Sequence, residues 1–292
     1  MKICTQAHAK INWALSVCGE RPDGYHELDM LMQSIELSDE LTFERARRLT
    51  LEVDGQRLPG GDRNLVIRAA NALNDAFGKH MGARITLKKR IPARAGLGGG
   101  SADCAAALLA LNRLWNLRLP MKTLQQLGLR LGADVPFCLQ SGLCRAQGVG
   151  EVLTPLPNAP SIPLVMFTPG GGLSTPAVFR AWGQCGSPMT NVDVPALAEA
   201  LSVGNLARAQ ALAHNDLEAP AIALMPEIGK WIEQFRELGA DFVRMSGSGS
   251  TVFAAFADES RASDAAAQIP GAILTQTLSE AAASAGGIQD ER

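Results

Sequence analysis

Twelve residues, Pro92-Ala93-Arg94-Ala95-Gly96-Leu97-Gly98-Gly99-Gly100-Ser101-Ala102-Asp103, constrain this chain more than any other stretch. Four of the five residues from Gly96 to Gly100 are glycine. Upstream, over residues 83–91, Ile85 and Leu87 alternate with Thr86 and Lys88, the period of a strand. Downstream, residues 105–117 are rich in Ala and Leu and predict a helix. Ser101 stands where an N-cap is expected, and Asp103 adds negative charge to the first turn. The order is strand, glycine bend, helix start. Glycines let successive backbone N–H groups turn toward one point, and a helix start adds its own free N–H groups. That combination favours an anion, above all a phosphate.

Two or three glycines would be accounted for by an ordinary turn; four in five, followed at once by a helix cap, favour a phosphate loop. Two common phosphate loops do not fit. The P-loop needs Gly-Lys-Ser/Thr at the helix start, and no lysine lies between Gly96 and Ala102. The dinucleotide fingerprint has its third glycine position filled by Ser101, and Arg118, Leu119 and Pro120 stand where its acidic ribose partner belongs.

The 292 residues suffice for one large domain or two ordinary ones. A net charge of −2 argues against general affinity for nucleic acid or membrane surfaces, while leaving room for a local basic pocket. The six cysteines are scattered, with no C-x-x-C pair, in a chain too long to look like a disulfide scaffold. Residues 1–10 lack the apolar core of a signal peptide, and no apolar run is long enough to span a bilayer. A cytoplasmic protein is the expectation.

Along the chain, Ile11, Trp13, Leu15 and Val17 alternate with Asn12, Ala14 and Ser16, a strand with one apolar face that sets Lys10 and Asn12 together on the other. Pro22-Asp23-Gly24 is a turn, followed by Tyr25, the lone tyrosine, and His26. Residues 28–37, 40–44 and 49–53 predict strands separated by polar turns. Asn64 is a natural N-cap for a helix over 64–77, and Gly132 a natural C-cap for one over 121–132. Gly148-Val149-Gly150-Glu151 and the Pro-rich residues 154–163 look like a domain boundary. Beyond it come a strand over 164–167, a glycine-rich loop over 169–176, and helices over 194–213 and 226–238 with His214-Asn215-Asp216-Leu217-Glu218 between them. Residues 241–245, 246–250 and 251–256 then predict strand, glycine loop and strand, and the tail over 281–292 is read as poorly ordered.

The Pro92 to Ala102 stretch resembles the phosphate loop of the GHMP kinases, whose motif is Pro, three residues, then Gly-Leu-Gly and small or Ser residues. Its longer form, Gly-Leu-Gly-Gly-Gly-Ser, is similar to the branch of that superfamily acting on a cytidine diphosphate of methylerythritol in non-mevalonate isoprenoid synthesis. One departure is visible: Ala102 replaces a usual second serine. Three further segments match in order: Ala7-His8-Ala9-Lys10-Ile11-Asn12, Gly132-Ala133-Asp134-Val135-Pro136-Phe137, and Ser246-Gly247-Ser248-Gly249-Ser250.

The resemblance implies a two-domain α+β architecture. A ribosomal protein S5 domain 2-like domain over 1–156 would bind ATP, and a ferredoxin-like domain over 157–292 would contribute to the substrate pocket. It implies Lys10 and Asp134 as catalytic residues. Asn64, Leu65, Lys89, Pro92, Gly96, Leu97, Gly98, Gly99, Gly100, Ser101 and Ala102 fall in the ATP set; Asn12, Tyr25, His26, Phe179 and Gly247 fall in the substrate set. Phe179 is equally readable as a core residue of the helix that follows its loop. ATP is implied as co-substrate and magnesium is expected with it, though its protein ligands are not legible. Two other readings stay open: another small-molecule kinase of the superfamily, against which the Asp-Gly-Tyr-His segment and Phe179 speak, and a non-catalytic sensor, which would be free to lose Lys10 or Asp134.

Overall fold

The computed structural model describes residues 1–55, 61–157, 159–185, 190–278 and 289–291. Among these, eleven strands build two sheets. The first sheet takes β1 (Lys2–Glu20), β2 (His26–Ala46), β3 (Thr50–Asp54), β4 (Gly82–Lys88), β5 (Leu143–Gly148), β6 (Val152–Leu156) and β11 (Gln289–Glu291), in the order β11-β1-β2-β4-β3, with the β5–β6 hairpin also paired to β2. The second takes β7 (Pro163–Phe167), β8 (Phe242–Met245), β9 (Val252–Ala255) and β10 (Ile273–Gln276), in the order β10-β7-β9-β8. Helices α1 (Leu65–Phe77), α2 (Gly99–Leu114), α3 (Met121–Leu131) and α4 (Val135–Gln140) belong to the first half. They are followed by α5 (Thr175–Cys185), α6 (Val194–Ser202), α7 (Leu206–Leu212), α8 (Glu218–Leu224), α9 (Glu227–Glu237) and α10 (Glu259–Ala267).

β1 and β2 form one long antiparallel hairpin around the Pro22-Asp23-Gly24 turn, where Gly24 takes φ 82° and its N–H donates to Arg21 O. The two strands expected over 28–37 and 40–44 are one. Ser38 and Asp39 do not turn; Asp39 is buried and accepts from the N–H groups of Arg90 and Ile91, so its charge serves the neighbouring loop.

β1 was expected to bury one face, yet every residue from Ala9 to Val17 is buried. The reason is the second sheet. The Trp13 ring packs edge-on against Phe242 of β8 and Phe253 of β9, at centroid separations of 4.9 and 5.6 Å. Its indole N–H donates to Gln33 Oε1 at 2.7 Å, which satisfies the one polar atom that burial would otherwise strand. The opposite side of the first sheet is covered by α1 and α2, with Phe43, Ile85 and Leu87 meeting Leu73, Leu108 and Leu111.

Other boundaries shift for identifiable reasons. α2 begins at Gly99, six residues before the predicted start, because Gly98 takes the cap position with φ 68°; Ser101 is therefore inside the helix and makes no cap. Asn64 does cap α1, its Oδ1 accepting from Val66 N at 2.9 Å, a bond worth about 1 kcal/mol. Gly132 ends α3 in extended rather than left-handed backbone. The helix expected over 194–213 breaks at Gly204, φ 69°, into α6 and α7. Gly148 to Gly150 turns β5 into β6 within the first sheet, and the chain crosses to the second sheet only after Leu156. Of the tail, residues 281–288 and 292 lie outside the described residues, while Gln289–Glu291 returns to pair antiparallel with β1 at Lys2 to Cys4. Among the described residues no helix is long and apolar enough to cross a membrane.

Candidate active site

The two sheets meet along β1, and a cleft of about 1000 Å³ opens there. It is lined from the first half by Lys10, Asn12, Tyr25, His26, Asn64, Leu65 and the Pro92 to Ser101 loop, with Asp134 at the head of α4; Phe179, Arg180 and Gly247 line it from the second. Of the sequence-predicted residues, Leu97 and Ala102 do not face it. Both are buried in apolar clusters, so the missing serine hydroxyl at 102 would point into the core rather than toward a ligand.

The glycine run is needed for several different reasons. At Gly98 the backbone is left-handed, and a Cβ there would stand 3.0 Å from Lys10 Cγ. At Gly96, φ 79°, a Cβ would fall 2.1 Å from Ser246 O, so that glycine lets the 246–250 loop close down. At Gly99, a Cβ would press on Ile91 Cγ2 at 2.8 Å, away from the cleft. The first intrahelical bond of α2 runs from Ala102 N to Gly98 O. The N–H groups of Gly99, Gly100 and Ser101 therefore have no partner within the helix and, with the positive end of a 16-residue dipole, make an anion site at the cleft.

Facing that helix end is Lys10, 4% exposed. Its N–H donates to Leu97 O at 3.0 Å, which ties β1 to the glycine loop. Its Nζ donates to Asn12 Oδ1 at 2.7 Å and lies 3.6 Å from Asp134 Oδ2. The Asp134 side chain remains one-third exposed, open to the cleft. So a carboxylate that can accept a proton, a lysine that can balance charge and a ring of backbone donors converge on one space.

Asp103 is not the helix-dipole charge expected from its place after the glycines. It is buried and accepts from Lys89 Nζ at 2.8 Å, and the same Nζ donates to buried Asp39. This triad, missed in the sequence, pins β2, the loop after β4 and α2 to one another. Burial pushes the Asp103 carboxyl up to about 7, with Lys89 opposing and Asp39 adding to the rise. Lys89, placed in the ATP set by resemblance, thus has its charge engaged by two carboxylates beneath the phosphate loop. The buried thiols supply no nucleophile: burial pushes Cys104 and Cys144 up to about 12.

At the far end of the cleft Tyr25, His26 and Phe179 border one space. No ring contact joins Tyr25 to Phe179. His26 lies flat against Phe179, centroids 4.5 Å apart and planes 25° apart, with Trp182 edge-on to it at 5.6 Å. Tyr25 stands 62% exposed at the rim, its backbone N–H held by Asp23 Oδ1. Phe179 is therefore a cleft residue and also packs on the apolar cluster behind it. Arg94 and Arg180 also line the cleft, and neither was singled out in the sequence.

This fold, with a glycine loop at a helix start facing a lysine–aspartate pair across an interdomain cleft, defines a GHMP kinase. The chain matches the GHMP kinases N terminal domain over residues 64–142 and the GHMP kinases C terminal domain over 195–273. It is 45% identical over 270 residues to the 4-diphosphocytidyl-2-C-methyl-D-erythritol kinase of Pelotomaculum thermopropionicum, covering 92% of this chain and 94% of that one. It is 42% identical over 291 residues to the enzyme of the same name from Rhizobium johnstonii, covering 98% and 95%. A crystal structure of 4-(cytidine 5'-diphospho)-2C-methyl-D-erythritol kinase superposes with a TM-score of 0.82 at 40% identity, covering 95% of this chain and 99% of that one. Mevalonate kinase from L. major, 19% identical with a TM-score of 0.73 and covering 95% and 96%, shares the fold. The chain belongs to the 4-diphosphocytidyl-2-C-methyl-D-erythritol kinase family of the GHMP kinases.

Proposed function

We propose that the protein transfers the γ-phosphoryl group of ATP to the tertiary 2-hydroxyl of 4-diphosphocytidyl-2-C-methyl-D-erythritol, a step of non-mevalonate isoprenoid synthesis. The observation that carries the reading is the Lys10–Asp134 pair facing the open start of α2 across one cleft. A non-catalytic sensor has no need of that arrangement.

Phosphoryl transfer asks the protein for positioning and charge stabilisation more than for covalent chemistry. The N–H groups from Gly99 to Ser101, presented by the turns at Gly96 and Gly98, hold the phosphates. Asn64, Leu65, Lys89 and Pro92 border the nucleotide end. Leu97 and Ala102 serve the loop from the core side, Leu97 also giving its carbonyl to Lys10. Asn12 and Gly247 border the acceptor, and Tyr25, His26 and Phe179 the cytidine end. Asp134 takes the hydroxyl proton as the acceptor oxygen bonds to the γ-phosphorus and the bond to the β-phosphate oxygen breaks, releasing ADP. Lys10 offsets the negative charge that gathers on the transferring group.

A magnesium ion is expected with ATP. The donors present fit an ion held largely by phosphate and water, since no cluster of three acidic, His or Cys side chains occurs among the described residues. Ser101, which lines the cleft at the start of α2, is the side chain that would hold it. It would neutralise triphosphate charge. The reading assigns residues 1–156 to ATP and 157–292 to the remaining wall of the substrate pocket, with β11 (Gln289–Glu291) returning to the first sheet. With no disulfide among the six cysteines, a reducing cytoplasmic setting suits the chain.

The test is incubation of the protein with ATP and 4-diphosphocytidyl-2-C-methyl-D-erythritol, mevalonate or homoserine in separate reactions. Stoichiometric ADP with the cytidine substrate alone supports the reading; turnover of mevalonate or homoserine in its place overturns it.

A further inference from the structure

The segment from the end of α7 into the first residue of α8, His214-Asn215-Asp216-Leu217-Glu218, makes an unusual set of contacts. Asn215 is 8% exposed and does not line the cleft. Its Nδ2 donates to Met245 O at 2.9 Å and to Gly247 O at 2.8 Å, and its Oδ1 accepts from Leu217 N at 3.0 Å. Both amide protons and the amide oxygen are thus engaged with backbone. Glu218 Oε2 accepts from Met245 N at 2.9 Å, so side chains of one five-residue segment hold both backbone polar groups of Met245.

That segment is itself fastened to β1. Leu15 N donates to His214 O at 2.9 Å, Asp216 N to Leu15 O at 3.0 Å, and Val17 N to Asp216 Oδ2 at 2.7 Å. The loop it holds rests on the reacting centre. Ser246 Oγ donates to Gly96 O at 3.1 Å and accepts from Asn12 N at 3.4 Å. A Cβ at Gly247 would stand 3.2 Å from Lys10 Nζ and 3.3 Å from Asn12 Oδ1. The backbone of Gly247 is therefore the lid over the Lys10–Asn12 pair, and the Asn215 amide fixes its height above β1.

We infer that Asn215 is a positioning residue for phosphoryl transfer: through Met245 O and Gly247 O it seats the 246–250 loop on Lys10, Asn12 and Gly96. The inference rests on the reading of Lys10 given above. Asn215 touches no substrate; it acts by keeping the Lys10 ammonium against Asp134 rather than free to follow a displaced loop. Loss of the amide leaves two buried carbonyls without a donor and lets the loop shift, and a displacement of about 1 Å in such a site costs up to about a hundredfold in rate.

The experiment is steady-state kinetics on Asn215→Ala, Asn215→Asp and Lys10→Ala, each well below its own melting temperature. For Asn215→Ala, kcat falls about ten- to a hundredfold while KM for ATP stays within about threefold, the pattern of an interaction felt in the transition state. Asn215→Asp supplies a readout that simple structural support would not move. Ionised, its carboxylate faces two carbonyl oxygens; protonated, it donates to one of them. Its activity relative to wild type should therefore rise as pH is lowered from 8 toward 6, while the Asn215→Ala ratio stays flat. The charged and titratable groups around the position, His214 and Asp216 beside it, Glu218 on α8 and Arg244 on β8, are common to all variants and cancel in the ratio. Should Asn215→Ala fail to fold, the Asn215→Asp profile decides. A kcat within twofold of wild type in Asn215→Ala, with only the melting temperature lowered, overturns the proposal, as does an Asn215→Asp ratio that does not change with pH. Lys10→Ala reports separately: a silent Lys10→Ala beside an impaired Asn215→Ala removes the Lys10 role and leaves the seating of the loop.

Discussion

Lys10, in the middle of β1, and Asp134, at the head of α4, stand 3.6 Å apart on the wall of the cleft, and each is held by a different device. Lys10 is buried, its backbone bonded to Leu97 O and its ammonium to Asn12. Asp134 occupies the cap position of α4 but makes no side-chain cap bond, which leaves its carboxylate available to a ligand. A carboxylate kept out of the hydrogen bond its position would normally supply is consistent with a proton acceptor.

Lys10→Ala and Asp134→Asn should each lower kcat by roughly a hundredfold or more, the scale of a positioned acid–base group. Circular dichroism should remain that of the native protein. Turnover near normal in either variant would remove that residue from the mechanism.

The glycines predict different failures at neighbouring positions. Gly98→Ala puts a side chain into left-handed backbone and against Lys10, so both ATP affinity and kcat should fall. Gly99→Val drives a branched side chain into Ile91 and toward Lys89 Nζ, 3.2 Å from the Cβ position. Its first effect should be on stability, by about 1–3 kcal/mol as for other overpacked sites. Calorimetric titration with ATP beside thermal melts separates the two; equal ATP affinity in Gly98→Ala and wild type would mean that the loop is only a turn.

At the end of the cleft proposed for cytidine, the stacked pair is His26 and Phe179, with Tyr25 exposed at the rim. Tyr25→Ala should raise KM for the cytidine substrate about 5- to 100-fold, given that a base–aromatic stack is worth about 1–3 kcal/mol. Tyr25→Phe should be nearly silent and KM for ATP unmoved. Because His26 and Phe179 touch, His26→Ala and Phe179→Ala should be non-additive in a double-mutant cycle. Strict additivity would mean that the two rings meet the substrate independently.

Asp103 yields a stability prediction. Its carboxyl sits at about 7 in the folded chain, mainly through burial, against an ordinary 3.8. Between these values the folded protein keeps a proton that the unfolded chain has released, so stability from this group falls as pH rises through about 4 to 7. The melting temperature of wild type minus that of Asp103→Asn should therefore decrease across that interval and level off above it. A difference that grows with pH would show that the ion pair with Lys89 outweighs desolvation.

The glycine loop and the Asn64 cap were legible because each is written in local residues, a run of glycines and a polar residue before a helix, whereas Lys10 and Asp134 stood out only through the resemblance of their segments. What was not legible depends on contacts made far along the chain. Trp13 reads as half of an alternating strand, and only Phe242 and Phe253 explain why both faces of β1 are buried. Asp39 reads as a turn residue until the N–H groups of Arg90 and Ile91 arrive beside it. Asn215 carries no sequence signal, since its partners are carbonyls some thirty residues downstream, at Met245 and Gly247. The stack of His26 on Phe179 was not legible for a similar reason: the two rings come from β2 and α5, about 150 residues apart.

The most direct test of the whole account is the identity of the product. The protein is incubated with ATP and 4-diphosphocytidyl-2-C-methyl-D-erythritol, and the mixture is followed by phosphorus-31 and carbon-13 nuclear magnetic resonance. The account predicts one new phosphomonoester signal, formed in step with ADP and coupled to the tertiary carbon that bears the methyl group, with the cytidine diphosphate intact. A phosphate on a primary or secondary hydroxyl, or ADP formed with the cytidine substrate unchanged, would contradict it.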